Sequence, residues 1–315
     1  MGLNERLLSH PNIGLHYSDH NNGVFDESGR LVIYKTYKNY YKNNNGADYV
    51  KQYYSGNCYN KCNKKTYKTK YGLITLFKNE LYIGEEFKKG NYWDEDTLLK
   101  LKEYINPDRN ILEIGGHCGT SSIVYSKFLN NDKKIYVYEP QKEMFSLLIE
   151  NIKQNNLDSK IIPYNLGVFC YEGSGKMNSI DLDGGGGEVS KRYNEENNLG
   201  CNFGGIGLGK DGEEIKLTTI DSINLEDIGF IHCDAQGSEN FIFSKAINTI
   251  RKQKPIILYE NNEKYGKYLY ENICNSYPQF IEESKFDIKK FCMEELKYSK
   301  CIENFNGSID TLLIP

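Results

Sequence analysis

Residues 111–122 read ILEIGGHCGTSS, and the fold follows from that stretch. Ile111, Leu112 and Ile114 around Glu113 make a short apolar strand. Gly115, Gly116 and Gly119 then turn the chain into a helix that opens at Thr120. Glycines at such a turn let the backbone bend sharply and approach a ligand closely. Moving outward, residues 134–139 form a second strand that ends in Glu139, twenty residues past Gly119. A carboxylate at that strand end can accept hydrogen bonds from both ribose hydroxyls of a nucleoside cofactor.

These features alone fit a dinucleotide cofactor as well as an adenosyl one. Two details separate them. The dinucleotide pattern G-x-G-x-x-G needs glycine where His117 stands. Glu113 beside the turn would repel a pyrophosphate, whereas a cofactor carrying an ammonium and a sulfonium would gain from it.

Further outward, strands and helices alternate. The spacing predicts a helix over 94–105 stopped by Pro107, a strand over 110–114, a helix over 120–129, a strand over 134–139, a helix over 141–155 and a strand over 160–165. After a break come strands at 215–219 and 230–234, a helix at 237–253, a strand at 255–260, a helix at 264–275 and a last strand at 311–315. Such alternation implies a mostly parallel sheet with helices on both faces. The break, residues 171–213, is glycine-rich and poor in apolar residues, and reads as a substrate-covering lid or a plain surface loop. Upstream, YGLITLFKNELYIGEEF (71–87) alternates around Lys78, Asn79 and Glu80, which predicts a β-hairpin.

The whole chain of 315 residues has a net charge of −4. Between Leu31 and Asn79, however, ten lysines face one acid, Asp48, so this stretch carries +9 and the rest −13. Residues 1–70 therefore read as a basic, tyrosine-rich extension and 71–315 as the catalytic domain. Lysines interleaved with tyrosines can meet polyanions or stack on bases, but a solvated face is the commoner meaning and the acidic body argues against nucleic acid. No secretory leader pattern, lipidation motif or long apolar run is visible, and nine cysteines read as free thiols in a reducing compartment. A soluble, cytoplasmic protein is expected. Cys58 and Cys62 form a lone C-x-x-x-C without a second ligand pair, so no zinc site is expected.

The residues from Tyr92 to Pro315 resemble the FkbM-type methyltransferases. Glu113-Ile114-Gly115-Gly116-His117-Cys118-Gly119 stands where that family has D-x-G-A-N-x-G, and Glu139-Pro140 where it has E-P. Residues 148–155, LIENIKQN, match its L-x-x-N-I-x-x-N texture. Asn165-Leu166-Gly167 matches a short turn after the third strand, and Thr219-Ile220-Asp221 its T-L-D. Ile231-His232-Cys233-Asp234-Ala235-Gln236-Gly237-Ser238-Glu239 stands for I-K-x-D-x-E-G-x-E, and residues 255–260, PIILYE, for P-x-I-x-x-E. Four positions depart: Glu113 for Asp, His117 for Asn, His232 for Lys and Gln236 for Glu.

The resemblance implies a doubly wound, Rossmann-like class I methyltransferase sheet, α/β in class and mostly parallel with seven strands. It implies S-adenosylmethionine as cofactor and a sugar, nucleotide-sugar or glycan hydroxyl as acceptor. The expected cofactor residues are Glu113, Gly115, Gly116, His117, Gly119, Thr120, Glu139, Pro140, Asn165 and Gly167. Methyl transfer to oxygen benefits from a positioned base, and three side chains at strand ends are candidates: Asp234, His232 and Glu260. Glu239, in the first turn of a helix, is a secondary one. Clustered acids could hold a divalent ion, but Gln236 removes one oxygen donor, so no metal is expected. The alternatives are an inactive binding protein on the same fold, which Gln236 favours, an NAD-dependent sugar-modifying enzyme, and an RNA ribose methylase, for which no Lys-Asp-Lys-Glu set is assignable. No membrane or nucleic-acid partner is expected, and oligomeric state is left open.

Overall fold

The computed structural model describes residues 64–78, 80, 82–178, 202–261 and 267–315, together with the backbone of two short strands, β1 (Gly23–Phe25) and β2 (Leu31–Tyr34), which pair antiparallel. The rest of the basic stretch up to residue 63, including Cys58 and Cys62, lies outside the described residues. So do residues 179–201, the middle of the segment 171–213 read as a lid or surface loop.

A hairpin follows, built from β3 (Lys64–Lys68) and β4 (Leu73–Phe77) with its turn closed between Thr69 and Gly72. The expected hairpin centred on Lys78 to Glu80 is thus displaced toward the N-terminus. Residues after it form helix α1 (Tyr82–Lys89) instead, because Ile83, Gly84 and Phe87 make one buried helical face. Glu80 supports that helix by accepting the N–H of Gly84 at 3.0 Å, one of the amides a helix start leaves free. A boundary at residue 70 falls in the hairpin's turn. Helix α2 (Glu95–Leu101) is shorter than the helix expected over 94–105.

The predicted alternation then appears as β5 (Asn110–Ile114), α3 (Thr120–Tyr125), β6 (Ile135–Tyr138), α4 (Lys142–Gln154) and β7 (Ile161–Tyr164). The glycine-rich interruption contributes β9 (Gly173–Met177) and β10 (Leu208–Gly209), which join its flanking strands β8 (Gly167–Val168) and β11 (Glu214–Thr218) in a separate four-stranded sheet. Next come α5 (Ile220–Ile223), β12 (Ile228–Cys233), α6 (Glu239–Ser244), α7 (Ile247–Gln253), β13 (Ile256–Glu260) and α8 (Lys267–Ser276). The chain ends in α9 (Ile288–Lys290), β14 (Lys300–Ile302) and β15 (Asp310–Ile314).

The central sheet has seven strands in the order β14-β15-β13-β12-β5-β6-β7. Every pairing is parallel except the two made by β15, which runs antiparallel between β13 and β14. The expected sheet, doubly wound, mostly parallel and seven-stranded, is what forms. Successive side chains of a strand point to opposite faces, and the buried residues divide accordingly. Ile111, Val137, Phe230, Leu258 and Leu312 belong to one core cluster, and Leu112, Tyr138, Ile231, Ile257 and Leu313 to another.

The single helix expected over 237–253 is two. Asp221 accepts the N–H groups of Asn248 and Thr249 at 3.1 and 2.8 Å, so the second half starts as a helix of its own. No helix among the described residues is long and apolar enough to cross a membrane.

Candidate functional site

In an open α/β sheet, ligands bind outside the carboxyl ends of the strands where the strand order reverses. Here that point lies between β5 and β12, because β6 and β7 extend the sheet to one side of β5 and β12 and β13 to the other. A cavity of about 450 Å³ opens there, within the roughly 300–1,000 Å³ common for small-molecule sites.

One wall is the glycine turn. At Gly115, φ is +84°, and a Cβ would stand 1.8 Å from the carbonyl oxygen of Asp234. Only glycine lets β5 and β12 close up at this place. A Cβ at Gly116 would meet Val137 at 2.1 Å. Both glycine amides point toward the carbonyl of Tyr138, at 2.9 and 3.2 Å, which joins the turn to the end of β6. His117 has φ +48° and donates its backbone N–H to Oε2 of Glu139 at 2.7 Å. Oε1 of Glu139 accepts the N–H of Gln141 at 2.8 Å. Burial pushes this carboxyl up to about 7 although the two N–H bonds act the other way. The imidazole of His117 is pushed down to about 4 by burial, and neither ring nitrogen has a hydrogen-bond partner among the described residues. It is therefore a neutral ring with a donor and an acceptor to spare.

The opposite wall is acidic. His232, Asp234 and Gln236 follow one another along the end of β12, with Glu260 at the end of β13 and Asp310 at the start of β15. Glu260 and Asp310 are cross-strand partners. Gln236, in a left-handed backbone conformation, donates through Nε2 to Asp234 at 3.0 Å and to Glu260 at 3.4 Å. Its Oε1 and the hydroxyl of buried Ser238, which also lines the cavity, are shielded and have no hydrogen-bond partner among the described residues. Burial raises Asp310 to about 6, with Asp234 and Asp94 adding to the effect and Ser308 and His232 opposing it. Desolvation likewise raises Asp94. Among the described residues, no group of three or more His, Cys, Asp or Glu side chains is arranged to hold a metal ion.

Of the residues expected to touch the cofactor, Gly115, Gly116, His117, Thr120, Glu139, Pro140 and Gly167 line the cavity. Three do not. Gly119 lies beneath the turn against Leu148. Asn165 holds the turn after β6 from behind, donating to the carbonyls of Glu139 and Pro140 at 2.9 and 3.0 Å. The Glu113 side chain is 1% exposed and accepts hydrogen bonds from the hydroxyls of Ser121 and Ser122. The two serine hydroxyls cover it beneath the cavity floor, which its cross-strand partner His232 reaches. Asp234, His232 and Glu260 all line the cavity, as expected of catalytic candidates. Glu239 does not: it is buried, is pushed up to about 7 mainly by burial, and accepts the N–H of Ala235 at 2.9 Å.

Residues 204–208 of the glycine-rich segment read as a lid or surface loop also line the cavity. Trp93 and Asp94, which precede α2, and Asp310, which opens the reversed strand, carried no sequence signal. Only the sheet order brings them here.

No family model matches the chain, and no curated protein matches it. Among solved structures, methyltransferase FkbM from Methylobacillus flagellatus KT matches at 15% identity with a TM-score of 0.36, over 54% of this chain and 37% of that one. The chain thus spans little more than a third of that protein. An O-methyltransferase from Bacillus cereus in complex with SAH matches at 14% identity with a TM-score of 0.35, over 70% and 80%. The Pyrococcus abyssi tRNA (uracil-54, C5)-methyltransferase in complex with S-adenosyl-L-homocysteine matches at 9% identity with a TM-score of 0.36, over 65% and 37%.

Proposed function

We propose that this protein transfers a methyl group from S-adenosylmethionine to a hydroxyl oxygen of a sugar or glycan. The observation that carries the reading is the junction of Glu139 with the glycine turn. A buried carboxylate, held by two backbone amides, closes the end of β6 directly against the turn that Gly115 and Gly116 keep free of side chains. A ribose diol fits against such a carboxylate, and the rest of a nucleoside fits along the turn. The sheet supports an adenosyl cofactor over a dinucleotide. The dinucleotide order 3-2-1-4-5-6 has no reversed strand inserted near its edge, whereas β15 is inserted here between β13 and β14.

When bound, the cofactor supplies an electrophilic methyl on a sulfonium. The chain's part is to bring an acceptor oxygen into line with it and to receive a proton. Asp94, Glu139, Asp234, Glu260 and Asp310 all line the cavity and suit a cationic cofactor. Asp234 and Glu260 are acceptors for sugar hydroxyls, and Trp93 adds an apolar face to the cavity lining. A nucleotide's diphosphate would lie among these carboxylates at a Coulombic cost, so an unphosphorylated sugar or glycan is the acceptor this wall favours.

Thermal unfolding with S-adenosylhomocysteine, S-adenosylmethionine and NAD, each alone, tests the cofactor. At about a hundred times its dissociation constant a ligand stabilises the fold by about 2.7 kcal/mol. The adenosyl compounds should raise the unfolding temperature and NAD should not. A shift with NAD alone would reverse the reading.

A further inference from the structure

We infer that Glu113 acts through His232. It fixes the imidazole with its proton on Nδ1, so that Nε2 takes the proton of the acceptor hydroxyl, which makes Glu113 a positioning residue for a catalytic histidine. The inference rests on the methyl-transfer reading above.

Glu113 and His232 are cross-strand partners of the parallel pair β5–β12 and so project from the same face of the sheet. Oε1 of Glu113 lies 3.7 Å from Nδ1 of His232. The Glu113 side chain is 1% exposed and so has no direct access to a ligand, while His232, 18% exposed, lines the cavity. Two of the four departures from the family pattern are these two residues. Glutamate reaches one methylene further than aspartate, and histidine stands where lysine would, so both changes meet in a single contact.

Tyr125 decides what that contact does. Its hydroxyl is 3.2 Å from the same Nδ1. If Tyr125 donated there, the imidazole proton would sit on Nε2 and the ring could not act as a base toward the cavity. A carboxylate beside Nδ1 favours the opposite arrangement, Nδ1–H with the tyrosine oxygen accepting. The charged or titratable groups facing His232 are Glu113 from β5, Tyr125 from α3, Asp310 from β15, Asp94 from the segment before α2, and Asp234 on its own strand end. Burial alone would depress the imidazole, and the carboxylates, Glu113 first, hold it above its ordinary value instead. In the step itself the acceptor oxygen bonds to the methyl carbon as the carbon–sulfur bond breaks toward sulfur. The hydroxyl proton passes to Nε2, and the imidazolium so formed is stabilised by Glu113.

The test is an NMR titration of the full chain labelled in its histidine rings, of which there are five, in wild type, Glu113→Gln and Glu113→Asp. Glu113→Gln should lower the His232 midpoint by about 1 pH unit or more and move the neutral ring away from the Nδ1–H form, as read by its nitrogen shifts. Glu113→Asp keeps the charge but withdraws it, so its midpoint should fall between the two. If both folded variants titrate like wild type with the same tautomer, Glu113 does not position His232. S-adenosylhomocysteine binding is measured on the same samples. A wild type that binds no adenosyl compound overturns the function on which the inference rests, whereas an unmoved midpoint in a wild type that binds it overturns the pairing alone.

Discussion

Glu139 carries a pH signature. Free, its carboxyl is pushed up to about 7 by burial, and ribose hydroxyls donating to it would favour the ionised form. Cofactor binding should therefore release a proton below that midpoint and tighten as pH rises through it. Calorimetric affinity for S-adenosylhomocysteine is expected to be about tenfold weaker at pH 6 than at pH 8. Glu139→Gln should bind more weakly at pH 8 and lose the pH dependence; a wild-type affinity that is flat over this range would remove Glu139 from the ribose. This residue was legible in the sequence because a strand end and a fixed spacing mark it. Asp94 and Asp310 were not, since each reaches the cavity through contacts between segments distant in the chain. Glu113 was visible as an acid at a strand end, but that its carboxyl meets the Ser121 and Ser122 hydroxyls and lies beside His232 shows only once α3 and β12 are set against β5.

Elements are held to one another here by buried amides rather than by apolar packing alone. Asn151 of α4 is fully buried. Its Oδ1 accepts the N–H of Thr75 at 2.7 Å, and its Nδ2 donates to the carbonyls of Thr75 at 3.1 Å and Cys118 at 2.8 Å. One side chain thus ties the β3–β4 hairpin and the glycine turn to the same helix. Asn151→Ala leaves three buried backbone groups without partners, each costing about 1–3 kcal/mol, so urea unfolding should show a loss of about 3 kcal/mol or more. A loss below about 1 kcal/mol would mean these groups find other partners. Asp221 works at smaller scale: Asp221→Ala removes the side chain that starts α7 and should cost about 1 kcal/mol. Both residues were noticed in the sequence as family texture, without a physical task. The break between α6 and α7 escaped periodicity because the apolar residues on either side keep helical spacing, and the capping group comes from more than twenty residues upstream. The displaced hairpin has a similar origin: the alternation of residues 71–77 was carried past its end, whereas Ile83 and Phe87 stand one helical turn apart and the Glu80 contact with Gly84 supports the helix.

At the scale of the whole molecule, the alternation of strands and helices was enough to read the doubly wound sheet, yet the acidic wall depends on the reversal of β15, which pairs Asp310 with Glu260. Periodicity says that a last strand exists but not which way it runs. The same architecture gathers carboxyls where water is scarce, and this sets how stability follows pH. Burial pushes Glu80, Glu139 and Glu239 each up to about 7 from a usual 4.5. Between those two values the folded protein holds protons that the unfolded chain has released, so stability present below about pH 4.5 is lost as pH rises through 7. Exposed ion pairs such as Asp227 with Lys133 and Arg109 lower the Asp227 carboxyl and weaken only in stronger acid. Urea midpoints of the ligand-free chain should therefore fall from about pH 5 to pH 8, by an amount equivalent to about 1 kcal/mol or more for each buried carboxyl. Glu80→Gln, at a side chain that does not itself line the cavity, should remove part of the fall while leaving the pH dependence of S-adenosylhomocysteine binding in place. Saturating S-adenosylhomocysteine should shrink it as well, because the ionised Glu139 gains hydroxyl partners. A ligand-free midpoint that rises across this range would mean that the buried carboxyls ionise freely, and with it the pH dependence assigned to Glu139 would go.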